Sequence, residues 1–177
     1  MNEINKLTVV DLDGTLIREN SHLKIINDYY KNSLSLIYKV WAKLSPISFQ
    51  NYIDLKIKSI PEDFIYSEKF TYRENLINYV QKTIAEGDRL IILSNSPTII
   101  LNKVSKEIGI KCYHTGIGKK SEFVSNNFHY KYLEVFTDSL YDSDLIRMAD
   151  KAFIITEKKE EFKEFENVIF FDERTTL

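Results

Sequence analysis

Short apolar runs alternating with helix-length amphipathic stretches constrain this chain more than any other feature of its sequence. Residues 7–11 (LTVVD) and 89–94 (RLIILS) are two such runs, and a helical pattern over 72–86, stopped by Gly87, leads into the second. The pattern goes on to predict a helix near 97–108, a strand near 111–115, a short helix near 120–127 and a strand at 133–137. A helix near 143–149 follows, then strands at 152–155 and 168–171 flanking a charged helix at 158–165. Strands alternating with helices imply an α/β fold built on a parallel sheet with helices on both faces. In such sheets the ligand site lies beyond the carboxyl ends of the strands. Three of the predicted strands end there on Asp11, Ser94 and Asp138. A plain core has no use for two carboxylates and a hydroxyl at one edge.

The stretch between the first two strands is too long for a single crossover. Leu23, Ile26, Tyr30, Leu34, Ile37, Trp41 and Leu44 recur three or four residues apart, and after Ser45-Pro46 a second helix is predicted over 49–58. The expected organisation is a three-layer, Rossmann-like core domain at 1–16 and 71–177, with a small helical cap at 17–70 inserted after the first strand. The aromatic stripe of Tyr29, Tyr30, Tyr38 and Trp41 reads first as the interior of that cap. The alternative is an apolar patch facing substrate or a membrane surface.

Composition narrows the partners. The net charge is −2, from 24 basic and 26 acidic residues, so there is no electrostatic case for nucleic acid. A single cysteine, Cys112, excludes an internal disulfide and a thiolate metal cluster, and its apolar setting predicts a buried, inert thiol. The first residues carry charge and lack a long apolar stretch, and the greasiest segment, 33–49, is broken by Lys39, Lys43 and Pro46. No secretory signal and no integral membrane segment is expected, which makes a cytoplasmic protein the default.

Asp11-Leu12-Asp13-Gly14-Thr15 carries the strongest chemical signal. In a strand-to-loop turn, carboxylates two residues apart can reach one metal ion and one phosphoryl group. A carboxylate nucleophile can form an aspartyl-phosphate, dividing a difficult displacement into two easier ones. Mg²⁺ suits such a site because it prefers oxygen ligands, keeps waters and bridges to phosphate. Asp13 is then placed to protonate the leaving oxygen and later to deprotonate the attacking water. Gly14 allows a tight turn whose amides face the phosphate. Taken alone the same residues also fit a simple turn, or the D-x-D metal motif of nucleotide-sugar glycosyltransferases.

DLDGT after an N-terminal apolar strand resembles the first motif of the haloacid dehalogenase superfamily, and candidates for its other three motifs follow in order. Ser94 in LIILSNSP matches the strand-end hydroxyl that, with the amide of Asn95, would bind phosphate. Read without the family, Ser94 is an ordinary strand-end residue, and Ser96-Pro97 could cap the next helix. The motif lysine matches Lys120, on helix phase, with Lys119 and then Lys131 as alternatives. Asp138-Ser139-Leu140-Tyr141-Asp142 matches the acidic pair, whereas Asp144 reads as a helix-start residue. The resemblance implies phosphate binding by Ser94, Asn95 and Lys120, and a Mg²⁺ site drawn from Asp11, Asp13, Asp138 and Asp142.

The second aspartate of the first motif favours phosphoryl chemistry over dehalogenation, and the cap position resembles phosphoserine phosphatase-like members. Thr137 stands where those members usually have glycine, and Asn95-Ser96-Pro97 replaces their glycine-rich lead into the helix. The implied function is a Mg²⁺-dependent phosphatase acting on a small phosphorylated metabolite through an aspartyl-phosphate. A phosphatase of a lipid-linked or sugar phosphate, and a non-catalytic phospho-ligand-binding relative, are the alternatives.

Overall fold

A computed structural model describes residues 3–31, 40–42, 44–85 and 88–171. One six-stranded sheet organises them, in the order β3-β2-β1-β4-β5-β6. The strands are β1 (Ile4–Val10), β2 (Arg89–Ser94), β3 (Cys112–His114), β4 (Tyr130–Thr137), β5 (Lys151–Ile154) and β6 (Val168–Phe170). Every pairing is parallel. Chain order runs outward from β1 in one direction and then resumes at β4 in the other, so the topological switch point lies between β1 and β4.

Alternation along the central strands sends side chains to two separate cores. Leu7, Val9, Ile91, Leu93, Leu133 and Val135 face one way, onto Val124 of α6 (Lys120–Asn127) and Leu145 and Ile146 of α7 (Ser143–Met148). Val10, Ile92, Phe136 and Phe153 face the other, onto Leu76 and Val80 of α4 (Glu74–Ala85) and Ile100 and Val104 of α5 (Thr98–Ile108). Burial on both faces explains why the strands read as nearly continuous apolar runs. The result is the three-layer α/β, Rossmann-like architecture expected.

Between β1 and α4 lie α1 (Ser21–Tyr30), α2 (Pro46–Lys58) and α3 (Glu62–Ser67). Their inward residues Ile25, Ile26, Phe49, Ile53, Ile57 and Ile65 belong to the same apolar cluster as Val10 and Ile92. The two ends of this insertion meet. Ile17 bridges Tyr72 in antiparallel fashion, Arg18 N–H donates to the Thr71 carbonyl at 2.9 Å, and Arg73 N–H donates to the Leu16 carbonyl at 3.0 Å.

Some elements depart from expectation. β1 starts at Ile4 and β4 at Tyr130, three residues early in each case, because Ile4 pairs with Tyr130 and Lys6 with Tyr132 beyond the apolar stretch. Backbone pairing, and not side-chain hydrophobicity, sets those ends. The charged helix expected at 158–165 is replaced by a 3₁₀ turn, Lys159–Phe162, with Phe162 and Phe165 buried three residues apart. Two anchors at that spacing suit one 3₁₀ turn and leave no apolar stripe for a longer helix. α1 ends at Tyr30, where Lys31 turns left-handed at φ 51° with its N–H on the Asn27 carbonyl. Leu34, Ile37, Tyr38, Lys39, Lys43 and the expected stop Gly87 lie outside the described residues. Trp41 packs against Phe49 and Tyr52, as an interior aromatic does, whereas Tyr29 and Tyr30 are partly exposed. Cys112 is half-buried, and burial pushes its thiol up to about 12.

Candidate active site

Asp11 follows directly on β1, and its N–H donates to the Phe136 carbonyl of β4 at 2.9 Å, so the residue sits at the switch point. The chain then winds tightly: Leu16 and Ile17 return N–H bonds to the carbonyls of Asp11 and Leu12. Gly14 has φ +78°, and a Cβ there would lie 2.2 Å from Asp138 Oδ2. Glycine is therefore required twice, by the backbone conformation and by the carboxylate that closes over it. The Arg73 guanidinium holds the turn from below, donating to the Gly14 and Thr15 carbonyls at 3.1 and 2.9 Å.

Charge converges here from three further elements. Lys120, the first residue of α6, is only 3% exposed, and its ammonium donates to Asp11 Oδ1 at 2.6 Å and to Asp142 Oδ2 at 2.8 Å. Lys119 turns outward to Glu122 and Lys131 to Glu3, so among the three lysines considered Lys120 is the one in the site. Asp138 directly follows β4, and the buried Thr15 hydroxyl lies 3.4 Å from both Asp138 Oδ1 and Asp11 Oδ2. Asp142 also accepts from Thr137 Oγ1 at 2.7 Å. That contact is what the threonine in place of glycine supplies.

Three carboxylates around one ammonium leave the cluster negative. Burial pushes the Asp11 carboxyl up to about 8, with the Asp142 and Asp138 charges adding to the rise and Lys120 opposing it. Burial and the Asp142 charge likewise bring Asp138 up to about 6. Desolvation alone would lower the Lys120 ammonium, but the Asp11 and Asp142 charges hold it above its ordinary value.

Asp13 faces a different wall. Its Oδ1 accepts the Ser21 N–H at 2.6 Å, and its Oδ2 accepts the Ser96 hydroxyl. His22 Nδ1 lies 3.6 Å from the same carboxylate and 3.4 Å from Ser96 Oγ, and burial lowers this imidazole despite the nearby Asp13 and Asp54 charges. Ser94, at the end of β2, is buried with its Oγ accepting the Ser96 N–H at 3.1 Å. Asn95 offers its carbonyl to Gln50 Nε2 of α2 at 3.0 Å, tying the insertion to the β2 loop. Ser96 does not cap α5: Pro97 occupies that position without a side-chain cap.

Asp11, Asp13, Ser94, Asn95, Lys120, Asp138 and Asp142 all line one cavity of about 250 Å³. Ser96, His22, Phe49 and Gln50 are among its other walls, and none of them was expected in the site from the sequence. Their selection depends on how the start of α1 and of α2 fold over the sheet edge, which no local pattern encodes.

Among the described residues no group of three or more carboxylate, histidine or cysteine side chains is arranged to hold a metal ion. Asp142 is committed to Lys120 and Thr137, and the Asp13 carboxylate to Ser21 and Ser96. Asp11 and Asp138 remain, an all-oxygen pair sharing the Thr15 hydroxyl in a negatively charged setting. Two carboxylates plus water and phosphate oxygens is the donor set Mg²⁺ prefers, so these residues fit such an ion.

No protein-family model matches the sequence, and no curated protein does. Solved structures do match. A HAD family hydrolase from Salmonella enterica serovar Typhi superposes with a TM-score of 0.78 at 13% identity, over 96% of this chain and 68% of the other. A phospho-aspartyl intermediate analogue of phosphoserine phosphatase gives 0.72 at 13% identity over 94% of each chain. A protein of unknown function from Bordetella pertussis Tohama I gives 0.72 at 11% identity, over 96% and 99%. The chain has the HAD hydrolase fold. The likeness extends over nearly the whole chain, insertion included, and at this identity it is a likeness of fold.

Proposed function

We propose that the protein is a Mg²⁺-dependent phosphatase of the haloacid dehalogenase type, hydrolysing a small phosphomonoester through an aspartyl-phosphate on Asp11. The observation that carries this reading is the Asp11–Lys120–Asp142 chain of charge-assisted bonds at the β1/β4 switch point, with Asp13 held on the facing wall by Ser96 and Ser21. The Asp11 carboxylate, with Mg²⁺ offsetting the burial that raises it to about 8, would be preorganised beside a fixed ammonium for attack on a dianionic ester, because its field need not rearrange as charge moves.

In the first step an Asp11 carboxylate oxygen attacks phosphorus in line, the ester P–O bond breaks, and Asp13 gives its proton to the leaving oxygen. In the second, Asp13 takes a proton from water as the water oxygen attacks phosphorus. Inorganic phosphate leaves and the Asp11 carboxylate is restored. Lys120, the Ser94 hydroxyl and the Asn95 amide bind the non-reacting phosphate oxygens. Mg²⁺, held by Asp11, Asp138 and the Asp13 main-chain carbonyl, would supply further charge neutralisation at the phosphate. Residues 17–70 act as a cap: Phe49, Gln50 and His22 face the leaving group and set its size. We place the substrate among small phosphorylated metabolites of the cytoplasm. A purely binding role would not require an acid–base residue on the wall opposite the nucleophile.

The test is release of phosphate from p-nitrophenyl phosphate with Mg²⁺, lost on chelation and restored by adding the ion. Asp11→Asn should drop turnover to background with the circular dichroism spectrum unchanged. Acid-quenched wild-type protein incubated with substrate should carry a phosphoryl group on Asp11 by mass spectrometry. Full activity in the Asn variant would overturn the assignment.

A further inference from the structure

The outer face of α2 is apolar where a surface helix should be polar. Phe49, Ile53 and Ile57 are buried along one side of this helix. The opposite side, followed at helical spacing through Ile47, Asn51, Leu55 and Lys58, points outward. Ile47 is 73% exposed and Leu55 68%, and just before the helix Leu44 is 81% and Val40 51% exposed. A helix with apolar residues on both sides implies a second partner.

The charge around this patch identifies the partner's chemistry. Among the described residues from 31 to 58 there are three lysines, at 31, 56 and 58, against one carboxylate, Asp54, in a chain whose net charge is −2. Lys56 lies against the Tyr30 and Tyr52 rings, 4.7 and 5.8 Å from their centroids, so its charge is held at the edge of the apolar face. Apolar side chains rimmed by lysine and tyrosine match the boundary of an anionic bilayer, where both components are favourable together. A second copy of the chain would instead bring like charge onto like across a two-fold contact.

We propose that this face, formed by Val40, Leu44, Ile47 and Leu55, docks on an anionic lipid surface. It borders the cavity directly. Ala42, Pro46 and Phe49, interleaved in sequence with the outward residues, line the cavity that holds Asp11. Docking therefore brings the mouth of the cavity to the level of the lipid headgroups. The inference stands on the shape and charge of this face and holds whether or not the cavity is a phosphatase site.

Co-sedimentation of the full chain with vesicles tests it. Vesicles of phosphatidylcholine and phosphatidylserine in equal parts should retain the protein, binding it about tenfold or more tightly than phosphatidylcholine alone. Raised salt should release it. The double variant Ile47→Asp with Leu55→Asp should lose retention while keeping the wild-type thermal melt. Leu44→Gln, at a position with almost no packing, should weaken retention by itself and serves if the double variant fails to fold. Absence of binding, equal binding to both vesicle types, or undiminished binding by the variants would overturn the proposal. So would a dimer in sedimentation velocity that the same substitutions dissociate.

Discussion

Lys120 decides the charge state of the site, because it stands between Asp11 and Asp142 with almost no solvent to share the load. Burial first, and then three carboxylates set against one ammonium, raise Asp11 and Asp138. A carboxyl raised in the folded state favours folding at a pH below its unfolded value, and that contribution is lost as pH rises through the folded value. Asp11 and Asp138 should therefore take thermal stability from the metal-free protein between pH 4 and pH 8, against the gain that the lowered His22 contributes over the same range. Added Mg²⁺ should raise the melting temperature more at pH 8 than at pH 5, since protons compete with the ion at the lower pH. Equal Mg²⁺ shifts at both pH values would rule out these carboxylates as its ligands. Gly14 is the other sensitive position: Gly14→Ala places a methyl group against Asp138 in a left-handed backbone. It should cost about 1–3 kcal/mol in denaturant unfolding, and turnover with it, as Asp138 is pushed aside. At this scale the sequence was most readable where chemistry is contiguous, in DLDGT and in the helix phase that favours Lys120. Ser96 and His22 escaped because their partner, Asp13, lies 83 and 9 residues away along the chain, and serine before proline equally suggests a helix cap.

Among the elements, α3 and α5 are joined by a buried lysine. Lys103 of α5 donates to the Tyr66 carbonyl at 3.1 Å and to Glu107, and its ammonium lies 5.2 Å from the centre of the Phe70 ring. Tyr72, beside the crossing point of the insertion, donates to the other oxygen of Glu107 at 2.5 Å. Lys103→Met keeps the volume and removes the donor, leaving the Tyr66 carbonyl without it. The expected cost is about 1–3 kcal/mol by urea denaturation, with Mg²⁺ binding little changed. A neutral result would show that this contact is dispensable to packing. The strands of the sheet were legible because both faces are buried, which gives long apolar runs. The 3₁₀ turn at Lys159–Phe162 was not, since the six charged residues and two phenylalanines of 158–165 satisfy a helix and a turn equally in local terms. The tethering role of Lys103 was likewise hidden, as nothing local to α5 reports that α3 passes over it.

Across the whole molecule, one apolar cluster runs from Val10 and Ile92 in the sheet to Ile53 and Ile65 in the insertion. Among the described residues the insertion therefore has no core of its own to retain when the sheet melts. Trp41, the single tryptophan, belongs to the edge of that shared cluster and reports on it by fluorescence. Its urea transition should coincide with that of far-ultraviolet circular dichroism, giving one cooperative unfolding event. Two separated midpoints would show that sheet and insertion are energetically independent. The pairing of Ile17 with Tyr72 has a further, evolutionary consequence. Because the insertion leaves and re-enters through neighbouring hydrogen-bonded segments, its ends are already closed, and added length carries only a slowly growing entropic penalty. The helices over the cavity can thus be lengthened, shortened or exchanged through drift and recombination while Asp11 keeps its place in the sheet. Such a chain can acquire new specificity by rebuilding its roof.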